Sequence, residues 1–303
     1  MAEKGKLNLV MLVIVWGTYY IANKLALSTF SATFTGIFIR LFVFIVMVFY
    51  MWYRKELMDL FRVQHVFPRL VLIGLLGFLL DFTAFIGFKY SSASKGSILL
   101  RSDVLFSTLI SFLLGQRVVF SELILMIFML VGVFLVSGLQ LSQFALNIAD
   151  LLFLLSALFI SINAFLIRSV QKDKSNPVSD NVIAFYNNLF TLMFFVIFSG
   201  SSVGMVEFSH LGFNGPTIAL TIASIGQFLI YVVYYSSLRK FPVWLVRSVL
   251  LLMPVYVSTF SFIFLGERLS MTQIIGMAII LLCAYLLIRN NYGNTANRRT
   301  KSN

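Results

Sequence analysis

Apolar runs of about twenty residues, the length of helix that crosses a hydrocarbon core of ~30 Å, follow one another along this chain with short polar connections between them. Such runs commit the chain to a membrane. Hydrophobic residues make up 60% of it and charged residues 11%, against roughly 45–50% and 25% in ordinary soluble domains. The short alternating strands of a transmembrane barrel are absent from the pattern. The expected fold class is an all-α integral membrane protein.

Ten spans can be drawn, at residues 7–27, 33–53, 68–88, 93–114, 121–140, 149–170, 180–200, 214–237, 242–264 and 271–289. The first follows Lys4 and Lys6 as a signal peptide would, but it is too long and lacks a small-residue cleavage site, so it reads as a retained helix. The formal charge of +12 sits mostly in the connections. With the N-terminus in the cytoplasm, sixteen Lys and Arg residues fall on the cytoplasmic side and only Lys89, Lys95 and Arg268 on the other. That bias puts both termini in the cytoplasm and makes the basic charge a topology signal, not a nucleic-acid surface. Short connections without any N-x-[ST] sequon point to a plasma (inner) membrane of bacterial type.

The two halves are copies of one plan. Leu114-Gly115-Gln116-Arg117 and Leu265-Gly266-Glu267-Arg268 lie 266 − 115 = 151 residues apart, and the same offset aligns Ser107 with Ser258 and Thr108 with Thr259. Five spans per half is an odd number, so the second half enters the membrane from the opposite side and the repeat is inverted. The expected organisation is a five-helix repeat over 1–146, a second over 147–290, and a basic cytoplasmic tail over 291–303 without regular structure. Just past the tetrapeptides, Ser121-Glu122 and Thr272-Gln273 suit helix N-termini, the hydroxyl accepting from free backbone N–H groups.

Symmetry holds in the scaffold and breaks at the charges: Arg101 is matched by Leu252, Asp103 by Pro254, Lys95 by Val246 and Arg247 by Gly96. One substrate between two copies needs each polar group only once. Lys24, Arg40, Arg101, Arg247, Asp81 and Asp103 lie inside spans, with Lys95 at a span end. Charges at membrane depth are costly and face a cavity or each other. Asp81 and Arg101 lie at similar depth on either side of Tyr90-Ser91 and are expected to pair, either as scaffold or as part of a site. Arg101 and Asp103, two residues apart, point to opposite sides of one helix. Asp103 is left to pair with Lys95 or Arg40, or to carry a proton.

Polar stripes at helical spacing add candidate cavity walls: Trp16, Tyr20, Asn23 and Lys24 in the first span; Ser224, Gln227, Tyr231 and Tyr235 in the eighth; and Asn163 in the sixth. Interhelical hydrogen bonding accounts for any single one of these, whereas together they favour a polar path. The candidate substrate-binding set is Trp16, Tyr20, Lys24, Arg40, Arg101, Asn163, Gln227, Tyr231 and Arg247, and the proton-coupling candidates are Asp81 and Asp103. Both histidines, His65 and His210, fall in connections, Cys283 is the single cysteine, and neither G-x-S-x-G nor a Walker A loop occurs. No enzyme chemistry, metal or cofactor is expected.

Trp16-Gly17 with Lys24, Arg40, Pro254 and Leu265-Gly266-Glu267-Arg268-Leu269-Ser270, in that order along ten spans, resemble the drug/metabolite transporter superfamily with two EamA-type halves. In the first half Asp103 stands at the place of the usual proline and Gln116 at that of the motif glutamate. The resemblance implies ten helices, a central cavity lined mainly by the first, third, fourth, sixth, eighth and ninth, and alternating access, often for export. The expected function is a secondary transporter, an exporter, of a small polar metabolite. Because Lys24, Arg40, Lys95, Arg101 and Arg247 outnumber Asp81 and Asp103, that metabolite is expected to bear a carboxylate, as an amino acid or organic acid does, with Arg101 or Arg40 as its anchor. The expected partners are that small molecule and the lipid bilayer. The competing reading is a non-transporting membrane partner or sensor whose buried charges pair with another membrane protein.

Overall fold

Four of the five prolines of the chain, Pro68, Pro216, Pro242 and Pro254, stand within one residue of a helix start, where a missing N–H costs nothing. The apolar runs between them wind into helices. The computed structural model describes residues 2–90, 99–116, 119–137, 148–173, 177–199, 208, 210–264 and 269–300. Among them the helices are α1 (Ala2–Ala26), α2 (Ala32–Tyr53), α3 (Phe67–Tyr90), α4 (Asp103–Leu113), α5 (Phe120–Val136), α6 (Ile148–Gln171), α7 (Asp180–Ser199), α8 (Gly215–Lys240), α9 (Val243–Val249), α10 (Met253–Phe264) and α11 (Met271–Thr300). No strand occurs among the described residues. Six helical segments are long and apolar enough to cross a membrane: Ala32–Tyr53, Gln64–Gly87, Asp150–Gln171, Asp180–Ser199, Gly215–Lys240 and Val243–Phe260. Shorter apolar helical segments, Leu7–Asn23, Asp103–Leu113, Phe120–Val136 and Met271–Leu287, cover other expected spans.

The repeated motif has a physical job that can be followed in its first copy. Gly115 adopts φ +68°, a left-handed conformation that favours glycine. Its N–H donates to the Phe112 carbonyl (2.9 Å) and that of Gln116 to the Ser111 carbonyl (2.9 Å), closing α4 with a Schellman turn. The second copy, 265–268, lies outside the described residues. The next helices then start alike. Glu122 Oε2 accepts from Val119 N–H (3.0 Å), and Gln273 Oε1 accepts from Ser270 N–H (2.9 Å), positions again 151 apart. The expected hydroxyl caps at Ser121 and Thr272 are corrected: the longer carboxylate and amide side chains reach back to the N-cap, and the partner hydroxyl is that of Ser270, which accepts from Gln273 N–H (3.3 Å).

Packing follows the repeat. α1 lies on α8 and α3 on α6, two contacts that exchange under the pseudo-symmetry; α3 with α7 and α8 with α2 are a second such set, while α5 packs on its own counterpart α11. The fourth and ninth spans both break. Backbone bonds of i→i−3 type from Ser102 to Leu99 (3.1 Å) and from Val104 to Arg101 (3.2 Å) turn the chain before α4, and a 3-10 turn, Leu250–Leu252, separates α9 from α10. Asp103 and Pro254 therefore occupy one structural role. Each opens the half-helix after a break, and both residue types suit a helix start, the first through the dipole and the second through its fixed φ. The expected unstructured tail is instead helical as far as Thr300, no proline following Pro254 to end it and Arg298 and Arg299 standing at the favourable C-terminal end.

α5 and α11 meet through glycine. A Cβ added at Gly276 would fall 2.7 Å from the Gly132 carbonyl oxygen and 2.8 Å from Leu135 Cβ, so the two backbones touch in the small-residue manner of membrane helices. Gly276→Val is expected to cost about 1–3 kcal/mol of stability through forced separation of this pair. Thermal melting in detergent measures it. Ala278→Val, on the exposed face of the same helix, should melt with the parent; equal melting of both variants with the parent would rule out the close crossing.

Candidate functional site

Two broken helices and six long ones line a cavity of about 620 Å³ between the repeats. α1 contributes Trp16, Tyr19, Tyr20 and Asn23; α6 gives Ser156 and Asn163; α8 gives Gln227, Tyr231, Tyr234 and Tyr235. Arg40 enters from α2, Asp81 from α3, Asn187 from α7, Arg101 from the break before α4, and Arg247 from α9. The cavity extends to Ser28 beyond α1 and Ser137 beyond α5.

The opposite end of the bundle is tied shut. Asn8 on α1 donates to Ser236 on α8 (3.1 Å), which shows that the start of one helix lies beside the end of the other. At that end Arg69 pairs with Asp173 (2.6 Å) and Arg239 with Asp180 (2.7 Å). Gln171 Nε2 donates to Asp180 (2.8 Å) and to the Tyr235 carbonyl (2.9 Å), and Arg168 donates to the Phe241 carbonyl. These bonds join the ends of α6 and α8 to the starts of α3 and α7.

Ion pairing inside the bundle differs from expectation. Asp81 pairs with Arg40 (Nη2 to Oδ2, 2.5 Å), not with Arg101, and Arg40 Nη1 also donates to the Tyr231 hydroxyl. Asp103 pairs with Arg247 (Nη1 to Oδ2, 3.3 Å), a partner that the sequence reading did not consider. The reason is the break at Arg101–Ser102: depth and facing counted along a straight fourth helix fail where the chain turns. The Arg101 guanidinium lies over the ring of Tyr20, 5.8 Å from its centroid, and has neither ion-pair nor hydrogen-bond partner among the described residues, although the residue is only 8% exposed.

Arg247 is held on several sides. Its guanidinium carbon lies 5.5 Å from the Trp16 ring centroid and 5.1 Å from that of Tyr234, and Nη2 donates to the Ile160 carbonyl (3.2 Å). Behind it Asp103 is 1% exposed and does not line the cavity. Its backbone carbonyl accepts from Ser161 Oγ (2.8 Å), while neither carboxylate oxygen accepts a well-aligned hydrogen bond among the described residues. Asp103 and Arg247, two of the charges that lack a counterpart in the other repeat, thus meet each other across the repeat interface.

Trp16, Tyr20, Arg40, Asp81, Arg101, Asn163, Gln227, Tyr231 and Arg247 all reach the cavity wall. Lys24 lies on α1, its side chain outside the described residues, as is Lys95. Sequence reasoning passed over Tyr19, Tyr234, Ser156 and Asn187. Tyr234 was within reach of the helical spacing that found Gln227 and Tyr231; Asn187, which donates to the Tyr235 hydroxyl (2.7 Å), carried no such signal.

The EamA-like transporter family matches residues 3–138 and again 147–289. No curated protein matches the sequence. One solved crystal structure, whose description names no function, is similar over 95% of this chain and 98% of its own, with a TM-score of 0.75 and 16% sequence identity. At that identity the likeness speaks for the fold alone.

Proposed function

Because this chain belongs to the EamA-like transporter family, we propose that it exports a small polar metabolite bearing an anionic group by alternating access at the cavity between its repeats. In this reading ten spans cross the plasma membrane, both termini are cytoplasmic, and the repeats run over 1–146 and 147–290 with a basic tail over 291–303. The positive-inside bias then assigns the tied end, with Arg69, Arg168 and Arg239, to the cytoplasm and the Ser28 and Ser137 end to the outside. The cavity so placed faces outward, and the cycle requires those ties to release as the outer mouth closes.

One observation carries the reading: Arg101 is buried on the cavity wall without a carboxylate among the described residues. A charge at membrane depth is costly, and an uncompensated one is best explained by a ligand that compensates it. Arg101 is the anchor, with Tyr20, Trp16, Asn163 and Gln227 around it; Asp103 and Asp81 are the coupling candidates because the Asp103–Arg247 pair joins the repeats directly and Arg40, the partner of Asp81, reaches the second repeat through the Tyr231 hydroxyl. The competing partner-or-sensor reading draws no support from these acids, since both find their arginines within this chain.

Flux in proteoliposomes tests it. Arg101→Ala is expected to reduce flux about tenfold or more, the worth of a charge-assisted contact, with melting temperature little changed because no ion pair is broken. Parental flux in this variant would remove Arg101 from the site. Proton coupling fails if a pH gradient leaves parental flux unaltered.

A further inference from the structure

We infer that the cavity is selective for a small organic monoanion, a monocarboxylate with an apolar body, and discriminates against the zwitterion and the cation built on the same body. The inference rests on the transport-site reading above and adds to it the net charge of the cargo. Arg40, Arg101 and Arg247 reach the cavity, and the two carboxylates at this depth are each taken by an arginine, Asp81 by Arg40 and Asp103 by Arg247. One positive charge, on Arg101, is left over.

The aromatic rings point the same way. A ligand ammonium seeks either a carboxylate or the face of a ring. Four of the rings on the cavity wall already carry the protein's own guanidinium groups: Tyr231 faces Arg40 (5.7 Å), Tyr20 faces Arg101 (5.8 Å), and Trp16 and Tyr234 face Arg247 (5.5 and 5.1 Å). An ammonium at Asp81 would also sit beside the Arg40 guanidinium that the acid already neutralises. A carboxylate, in contrast, meets the planar fork of Arg101, which can donate two parallel hydrogen bonds.

Three ligands of one skeleton separate these cases: 3-phenylpropanoate, phenylalanine and 2-phenylethylamine, an anion, a zwitterion and a cation. Binding to the purified full-length protein is read by thermal shift and by the tryptophan fluorescence to which Trp16 contributes. The anion is expected to bind about tenfold more tightly than the zwitterion or better, the worth of one charged contact, and the cation weakest of all. Arg101→Gln should erase this ranking and Arg101→Lys should keep its order. Should Arg101→Gln fail to fold, the charge series on the parent decides alone. Zwitterion binding equal to or tighter than the anion, or no binding by any of the three, overturns the monoanion assignment. Counterflow of whichever ligand binds tests transport separately: flux of a zwitterion would sink this inference and leave the transporter standing, whereas a tightly bound ligand that is never moved would sink the transporter.

Discussion

Asp103→Ala is expected to destabilise the protein by about 3–5 kcal/mol, the cost of leaving a buried charge without its partner. Arg247 is 4% exposed at its side chain and Asp103 1%, so water cannot substitute for the lost carboxylate. The rings of Trp16 and Tyr234 and the Ile160 carbonyl would keep hold of the guanidinium without neutralising it. Thermal melting or proteolysis of the detergent-purified variant measures the loss. Asp103→Leu combined with Arg247→Met should recover most of it, because an apolar pair of similar volume replaces a buried ion pair at little cost. Flux then separates scaffold from mechanism: a stable double variant that transports normally would make the pair structural, and an Asp103→Ala protein as stable as the parent would refute the pairing itself.

Arg40→Met is expected to act in the same direction and less strongly, by about 2–3 kcal/mol. It orphans Asp81 and removes a donor to the Tyr231 hydroxyl, but the Asp81 side chain is 14% exposed on the cavity wall, where solvent restores part of what the guanidinium supplied. The α2–α7 contact survives, since Asn188 Nδ2 donates to the backbone carbonyl of Arg40 (2.8 Å) whatever the side chain. Arg40→Met with Asp81→Leu should again regain stability. A larger loss from Arg40→Met than from Asp103→Ala, in melting under one detergent, would contradict the ranking by burial.

Much of the fold was legible because its causes are local. Run length and hydropathy located the spans, and the repeated Leu-Gly-x-Arg located the helix ends, for a reason that Gly115 makes visible in its left-handed turn. Most of the cavity wall was legible too, since membrane burial makes a polar residue conspicuous. Which charge meets which was not. The Asp81–Arg101 expectation assumed a straight fourth helix, whereas the chain turns at Arg101–Ser102.

The contrast between Asp103 and Pro254 divides in the same way. By itself the sequence determined that the chain enters a membrane, that it is doubled, and that its charges break the doubling, because hydropathy, length and residue type are properties of each segment alone. Only the tertiary structure decided that Asp103 and Pro254 share the start of a half-helix, that Asp103 faces Arg247 from the other repeat, and that Arg101 is left over. Pairing at depth depends on where helices from distant parts of the chain cross, and in low dielectric an error of a few ångströms separates a neutral pair from a free charge.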